Sequence, residues 1–177
     1  MRFRPQRSAA PSAPNKQVWL VIRTDTLDWP PEAYALALRH LGQWRAAGNR
    51  VVGVQVDFDA RTRGLDRYAV FLRDLRTRLP RDAKLSVTGL MDWSANGDPA
   101  ALAALAGTVD EVVVQTYQGR TTIPGYELYL RRLDRFPIPF RIGLVEGGAW
   151  REPAGLRANP RFRGYVVFLL PSDGRAG

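Results

Sequence analysis

The sequence predicts an α/β fold in which parallel strands alternate with helices, and three observations carry that expectation. Short continuous apolar runs recur along the chain, as strands buried on both faces require. Between them, apolar residues return every three or four positions, which is the period of a helix face. The two patterns then alternate, strand before helix, from one end of the chain to the other.

The first strand is read at Gln17–Arg23. Trp29-Pro-Pro31 opens a helix, because proline fits the first helical turn. Tyr34, Leu38, Leu41 and Trp44 form its apolar face, and Gly48-Asn49 stops it. A second strand runs from Val51 to Asp57. The next helix spans Gly64 to Leu79, with Leu65, Tyr68, Leu72, Leu75 and Leu79 on one side and Pro80 beyond its end. Lys84 to Met91 is the third strand. Asp98-Pro99 starts a short helix through Ala106. Val109 to Tyr117 holds the fourth strand, around Val112-Val113-Val114. Tyr126, Tyr129, Leu130 and Leu133 make a further helical face. Pro139 to Val145 is the fifth strand, residues 153–158 supply one or two helical turns, and Tyr165 to Leu170 is the sixth strand.

This alternation suits a doubly wound open sheet or a (β/α) TIM-like barrel. No glycine fingerprint follows the first strand and no P-loop is present, so nothing supports a nucleotide site. A barrel usually takes about 250 residues, whereas this chain has 177. The expectation is an incomplete barrel of about six β-α units with the first two missing. Its parts are a disordered basic tail at 1–16, the partial barrel at 17–171 and a short tail at 172–177. Such a sheet has open edges at 18–23 and 165–170, which predicts self-association.

Composition excludes several chemistries. With no Cys there is no disulfide scaffold, thiolate nucleophile or sulfur-ligated zinc. His40 is the one histidine and is read as a half-exposed helical residue, so a histidine metal cluster is excluded and a Ser-His-Asp triad is disfavoured. No metal or cofactor is expected. The net charge is +9, which is compatible with a polyanion partner. The arginines are scattered along the sequence, however, and only Lys16 and Lys84 are lysines. The bias is therefore read as GC-rich codon usage, and nucleic acid is not the expected partner. No run approaches the about 20 apolar residues of a membrane span. The N-terminus lacks the apolar core of a secretory signal, so the chain as written reads as cytoplasmic.

In either architecture, chemistry gathers at the C-terminal strand ends. There the sequence places Asp57 and Asp59, then Asp92 and Trp93, then Gln115, Tyr117 and Gln118, and finally Glu146 and Trp150. The sharpest segment is Val51-Val-Gly-Val-Gln-Val-Asp-Phe-Asp59. Alternation puts Gln55, Asp57 and Asp59 on one face. Two carboxylates two residues apart would lie about 6.5 Å from each other. If both are desolvated, repulsion raises one pKa and creates a proton donor beside an anion, as glycosidic cleavage requires. The competing reading is a solvated strand end whose cationic partners come from Ala60-Arg-Thr-Arg-Gly64, or from Arg120 and Arg141. Trp93 and Trp150 are candidates for stacking on a sugar ring, while Trp19, Trp29 and Trp44 are read as packing residues.

These residues resemble a chitinase-type barrel of the family 18-like glycoside hydrolases. In Gly53-Val-Gln-Val-Asp-Phe-Asp59, Asp57 matches the Asp next to the family's acid and Asp59 stands at its catalytic Glu. Val114-Gln-Thr-Tyr-Gln118 is similar to the family's Met-x-Tyr-Asp, with Tyr117 on the Tyr and Gln118 on the Asp. Gln55 and Gln118 replace carboxylates, and Asp59 is one methylene shorter than Glu. Over Val52 to Leu170 the chain more closely resembles an uncharacterised bacterial domain family of unknown function. The resemblance implies a glycoside-hydrolase-like protein acting on a polysaccharide or aminosugar polymer. Asp59 would be the general acid, Asp57 its neighbouring carboxylate and Tyr117 an orienting donor. Gln55, Gln115, Gln118, Asp92, Trp93, Glu146 and Trp150 would bind the carbohydrate. The alternatives are a non-catalytic glycan-binding barrel and a basic polyanion-binding module.

Overall fold

The computed structural model describes residues 12, 15–60 and 62–169. The tails expected at 1–16 and 172–177 lie outside the described residues, apart from Ser12, Asn15 and Lys16; Leu170 also lies outside. In chain order the elements are β1 (Gln17–Arg23), α1 (Pro31–Ala46), β2 (Arg50–Asp57), α2 (Leu65–Arg78), β3 (Lys84–Leu90), α3 (Trp93–Asn96), α4 (Pro99–Ala106), β4 (Glu111–Gln115), β5 (Tyr117–Gln118), β6 (Thr121–Thr122), α5 (Tyr126–Leu130), β7 (Phe140–Val145) and β8 (Phe162–Phe168). Three short 3₁₀ segments complete them, at Thr62–Gly64, Arg131–Arg135 and Leu156–Ala158.

The sheet order decides between the two architectures. Six strands run β1-β2-β3-β4-β7-β8, and every neighbouring pair is parallel. A doubly wound sheet reverses its strand order at a switch point; this one never does. Successive right-handed crossovers then put all the helices on one face. The result is a curled, half-barrel sheet that does not close among the described residues, with β1 and β8 at its edges.

The helices begin where their sequence signals stand. Pro31 occupies the first turn of α1, Glu32 lies in that turn and Arg45 in the last, which suits the helix dipole. The Asp98 side chain accepts a hydrogen bond from the Ala100 N–H and caps α4. Leu20, Ile22, Val54, Val56, Leu85, Val87, Val112 and Ile142 face the helix layer and form one core with Tyr34, Leu41, Leu72 and Leu105. Each such fully buried aliphatic side chain contributes about 1.5–3 kcal/mol. The alternate positions form the concave face, where Gln55, Ser86 and Thr88 are buried polar groups.

Two strands differ from the sequence expectation, and α3 is a short helix that it did not include. The fourth strand stops at Gln115, and residues 117–122 fold back as the antiparallel pair β5-β6. An apolar run cannot show where ladder partners end. The last strand starts earlier, at Phe162, and takes in Gly164 at φ +96°. This is the left-handed region that glycine tolerates, beside a register shift against β7.

Candidate functional site

Strand register builds the site. Arg23 on β1 is the direct partner of Asp57 on β2. Val56 pairs with Val87 on β3, so Thr88 falls beside Asp57 on the other side. Side chains that are partners in a parallel ladder share a face, and these three make a row across the top of the concave surface. The Arg23 guanidinium donates from Nη1 to Asp57 Oδ2 at 3.2 Å and from Nη2 to Asp59 Oδ2 at 3.2 Å. The Thr88 hydroxyl donates to Asp57 Oδ1 at 2.7 Å. Both oxygens of Asp57 are thereby held, and its side chain is only 21% exposed.

Tyr117, just past β4, joins this group. Burial, with the charges of Asp57 and Asp59, pushes its phenol up to about 12, against the opposing Gln115 hydrogen bond and Arg23 charge. The ring rests against Phe168 of β8, with centroids 5.3 Å apart. The structure thus brings Asp57, Asp59, Gln115 and Tyr117 into one neighbourhood at the strand ends.

The premise of a desolvated carboxylate pair is corrected. Asp59 is 59% exposed, because the chain leaves the ladder after Asp57 and turns toward the first 3₁₀ segment. Among the described side chains the cation seated on Asp57 and Asp59 is Arg23 of β1; Arg141 pairs instead with Glu111 at 3.1 Å, while Arg61 and the side chain of Arg63 lie outside the described residues. Arg23 had a legible signal: it ends a strand, as Asp57 does, and the strand-end rule applied to β1 would have found it. Thr88 shares alternation with Ser86 on β3 in the same way.

The remaining candidates disperse. Gln55 is buried beneath the carboxylates, where its Nε2 donates to Ser86 Oγ at 3.0 Å, and it supports the face from inside. Trp93 is 1% exposed and donates from Nε1 to the Ala60 carbonyl at 2.9 Å. It is a core residue, and the sugar-stacking expectation fails for it. Trp150 is stacked on Tyr126 at 4.8 Å and packs edge-on to Tyr165 at 5.8 Å. Tyr165 is the register partner of Ile142, so Trp150 belongs to the helix side and is likewise corrected. Asp92 precedes α3 without capping it, and its Oδ1 is buried with no hydrogen-bond partner among the described residues. Gln118 is exposed on β5. Glu146 is exposed at the end of β7, three strand spacings from Asp57, or about 14 Å along the sheet.

Among the described residues, no group of three or more His, Asp or Glu is placed to hold a metal ion, and no helix is long and apolar enough to cross a membrane.

The model of a domain of unknown function, DUF3142, matches residues 20–129, more than half of the chain. The chain belongs to the DUF3142 family. The DUF3142 match contains every member of the site, from Arg23 to Tyr117, and ends before β7 and β8. No curated protein matches the chain. Among solved structures it is similar to the spore cortex-lytic enzyme SleL of Bacillus cereus, with a TM-score of 0.54 and 20% identity over 72% of this chain and 35% of that one. The chain thus spans about a third of the length of SleL, and the likeness concerns the fold. A 2,3-dimethylmalate lyase of the PEP mutase/isocitrate lyase superfamily gives a TM-score of 0.43 and 19% identity, over 84% of this chain and 52% of that one. That likeness is too distant to carry an argument.

Proposed function

We propose that this DUF3142 chain is a glycoside-hydrolase-like protein that handles a polysaccharide or aminosugar polymer across the C-terminal ends of its strands. The observation that carries the reading is the row Arg23–Asp57–Thr88, with Tyr117 within reach of its charge. A carboxylate fixed on both oxygens, at the mouth of a concave parallel sheet and beside a phenol, is a preorganised polar contact for a sugar. The fold shared with a cortex-lytic enzyme supports the same class, as does the resemblance of Gly53–Asp59 and Val114–Gln118 to chitinase-type strands. In this reading Asp59 hands a proton to the glycosidic oxygen as that oxygen leaves the anomeric carbon, the carbonyl oxygen of a 2-acetamido group bonds to that carbon in its place, and water then adds there, reopening the ring so formed and returning a proton to Asp59. Asp57 orients a 2-acetamido group, and Tyr117 donates a hydrogen bond to it.

A second reading, glycan binding without cleavage, is favoured by one specific observation. Asp59 stands in solvent, paired to Arg23, whereas a carboxyl that serves as a proton donor is usually kept in an apolar pocket. Hydrolysis of chromogenic glycosides and cell-wall glycans, run beside a glycan array, separates the two. Turnover abolished by Asp59→Asn supports the enzyme. Turnover unchanged in Asp59→Asn refutes the acid assignment, and binding without turnover selects the second reading. Absence of both binding and turnover overturns the sugar-site proposal.

A further inference from the structure

We infer that the end of the sheet opposite the sugar site is a docking surface for an acidic polysaccharide. The strands begin there, and four cations stand on it: Lys16 just before β1, Arg50 at the start of β2, Arg81 in the turn before β3 and Lys84 at the first residue of β3. Lys16 precedes Gln17, the register partner of Arg50. Arg50 and Lys84 line one shallow pocket of about 410 Å³. All four are exposed. The acids at the starts of β3 and β4 are already matched: Asp82 holds Arg45, Asp110 holds Arg76 and Glu111 holds Arg141, each at 3.1 Å. Helices α1 and α2 also end on this side, each presenting the equivalent of about half a negative charge. Arg45 and Arg76 already stand in their last turns. Lys16, Arg50, Arg81 and Lys84 pair with no acid among the described residues, so they are surplus to both needs.

The chemistry of the surface selects its occupant. Lys84 is level with Gly53, three residues beyond Arg50, so the two backbones are offset by about 10 Å along the strands. A chain that repeats its charge spans that distance, whereas one small anion does not. A folded protein partner needs an apolar anchor at the centre of its interface. The exposed large apolar side chains are Val21, Val70, Leu128, Tyr129, Val167 and Leu169, and none stands at a strand start. Single-stranded nucleic acid needs exposed aromatic rings for its bases, and the rings nearest these cations, Trp19 and Trp44, are partly buried. A hydroxyl-rich chain bearing carboxylates asks only for spaced cations and polar groups, and Gln17 adds such a group to the same pocket. Docking here leaves Asp57 and Asp59 open at the far end of the strands. It also raises the local concentration of sugar chain around them without touching them.

Lys16 and Lys84 are the only lysines of the chain, so acetylation of lysine amines reads this surface alone. In wild type, polygalacturonate oligomers should slow acetylation of both lysines. Fully methyl-esterified oligomers of the same length should not, and added salt should abolish the protection. Fluorescence anisotropy then compares the double variant Arg50→Gln/Lys84→Gln with Arg39→Gln/Arg73→Gln, which removes the same charge from exposed helix positions. Each is first checked for an unchanged thermal midpoint. The first pair should lose roughly tenfold in affinity for polygalacturonate, the scale of two exposed ion pairs, with a salt slope shallower by about two. The second pair should bind as wild type does. No loss in the first pair, equal losses in both, or lysines acetylated at one rate with and without acidic oligomer overturn the inference. Tighter binding of oligothymidylate or polyglutamate at matched charge overturns the choice of a polysaccharide. A protein that docks the acidic oligomer but handles no glycan at the strand ends keeps this inference and loses the sugar-site proposal.

Discussion

Trp93 offers the sharpest check on which residues belong to the core and which to the site. Its indole is 1% exposed and its Nε1 donates to the Ala60 carbonyl at 2.9 Å. The ring lies so close over Gly89 that a Cβ placed there would stand 2.9 Å from it. Trp93→Ala removes the whole side chain from a packed interior, and such truncations cost about 3–5 kcal/mol. Trp93→Phe keeps most of the volume but strands the carbonyl of Ala60, itself 2% exposed, at about 1–3 kcal/mol. Urea unfolding followed by far-UV circular dichroism reads both values. Sugar binding by the Phe variant, measured well below its midpoint, should match wild type. An Ala variant within about 1 kcal/mol of wild type would refute the packing argument. So would a Phe variant of full stability that has lost sugar binding, because the indole would then be facing the ligand.

Three further outcomes follow from the same coordinates. At Gly53 an added Cβ would lie 1.9 Å from the backbone oxygen of Lys84, an obstacle that cannot rotate away; Gly53→Ala should cost about 3 kcal/mol or more, and a change below about 0.5 kcal/mol in urea would contradict the close approach of β2 to β3. Burial is the first cause that holds Tyr34, Tyr117 and Tyr165 up at about 12 and lifts Tyr68 well above its ordinary value of 10.0. The unfolded chain gives up these protons first, so their contribution is complete below about pH 10 and is lost as pH rises toward 12; unfolding followed by tyrosinate absorbance should show this, and flat stability across that window would contradict it. Both sheet edges carry exposed apolar groups, Val21 on β1 and Val167 on β8, so light scattering should show concentration-dependent association, and a monodisperse monomer at all concentrations would count against open edges.

Most of the fold was legible because it is written in local patterns. The apolar runs at Val51–Asp57 and Lys84–Met91 lie within a residue of the observed strands, and Asp98-Pro99 starts its helix where capping chemistry requires. Sheet order was not legible, since periodicity says which residues are buried and not which strands are neighbours. The site was legible in part for the same reason. Alternation alone places Asp57 on a face with Asp59, but only the register of β1 shows that Arg23 lies opposite it. The tryptophans misled because a position after a strand end does not say which way a side chain turns: Trp93 folds under the loop into the core. The basic residues scatter along the sequence, yet Lys16, Arg50, Lys84 and Arg161 all stand at or just before the starts of strands, at the end of the sheet away from Asp57.

Among the described residues, the cation of the site stands on a strand with a neighbour on one side only. Each excursion that lifts β1 from β2 therefore also lifts Arg23 from its carboxylates while β2 and β3 stay joined. The local opening of one border strand and the electrostatic state of the cleft are then a single event. Amide exchange along residues 18–23 becomes a gauge of how often the acidic pair stands uncovered, and a bound sugar that bridges the two strands would slow both together.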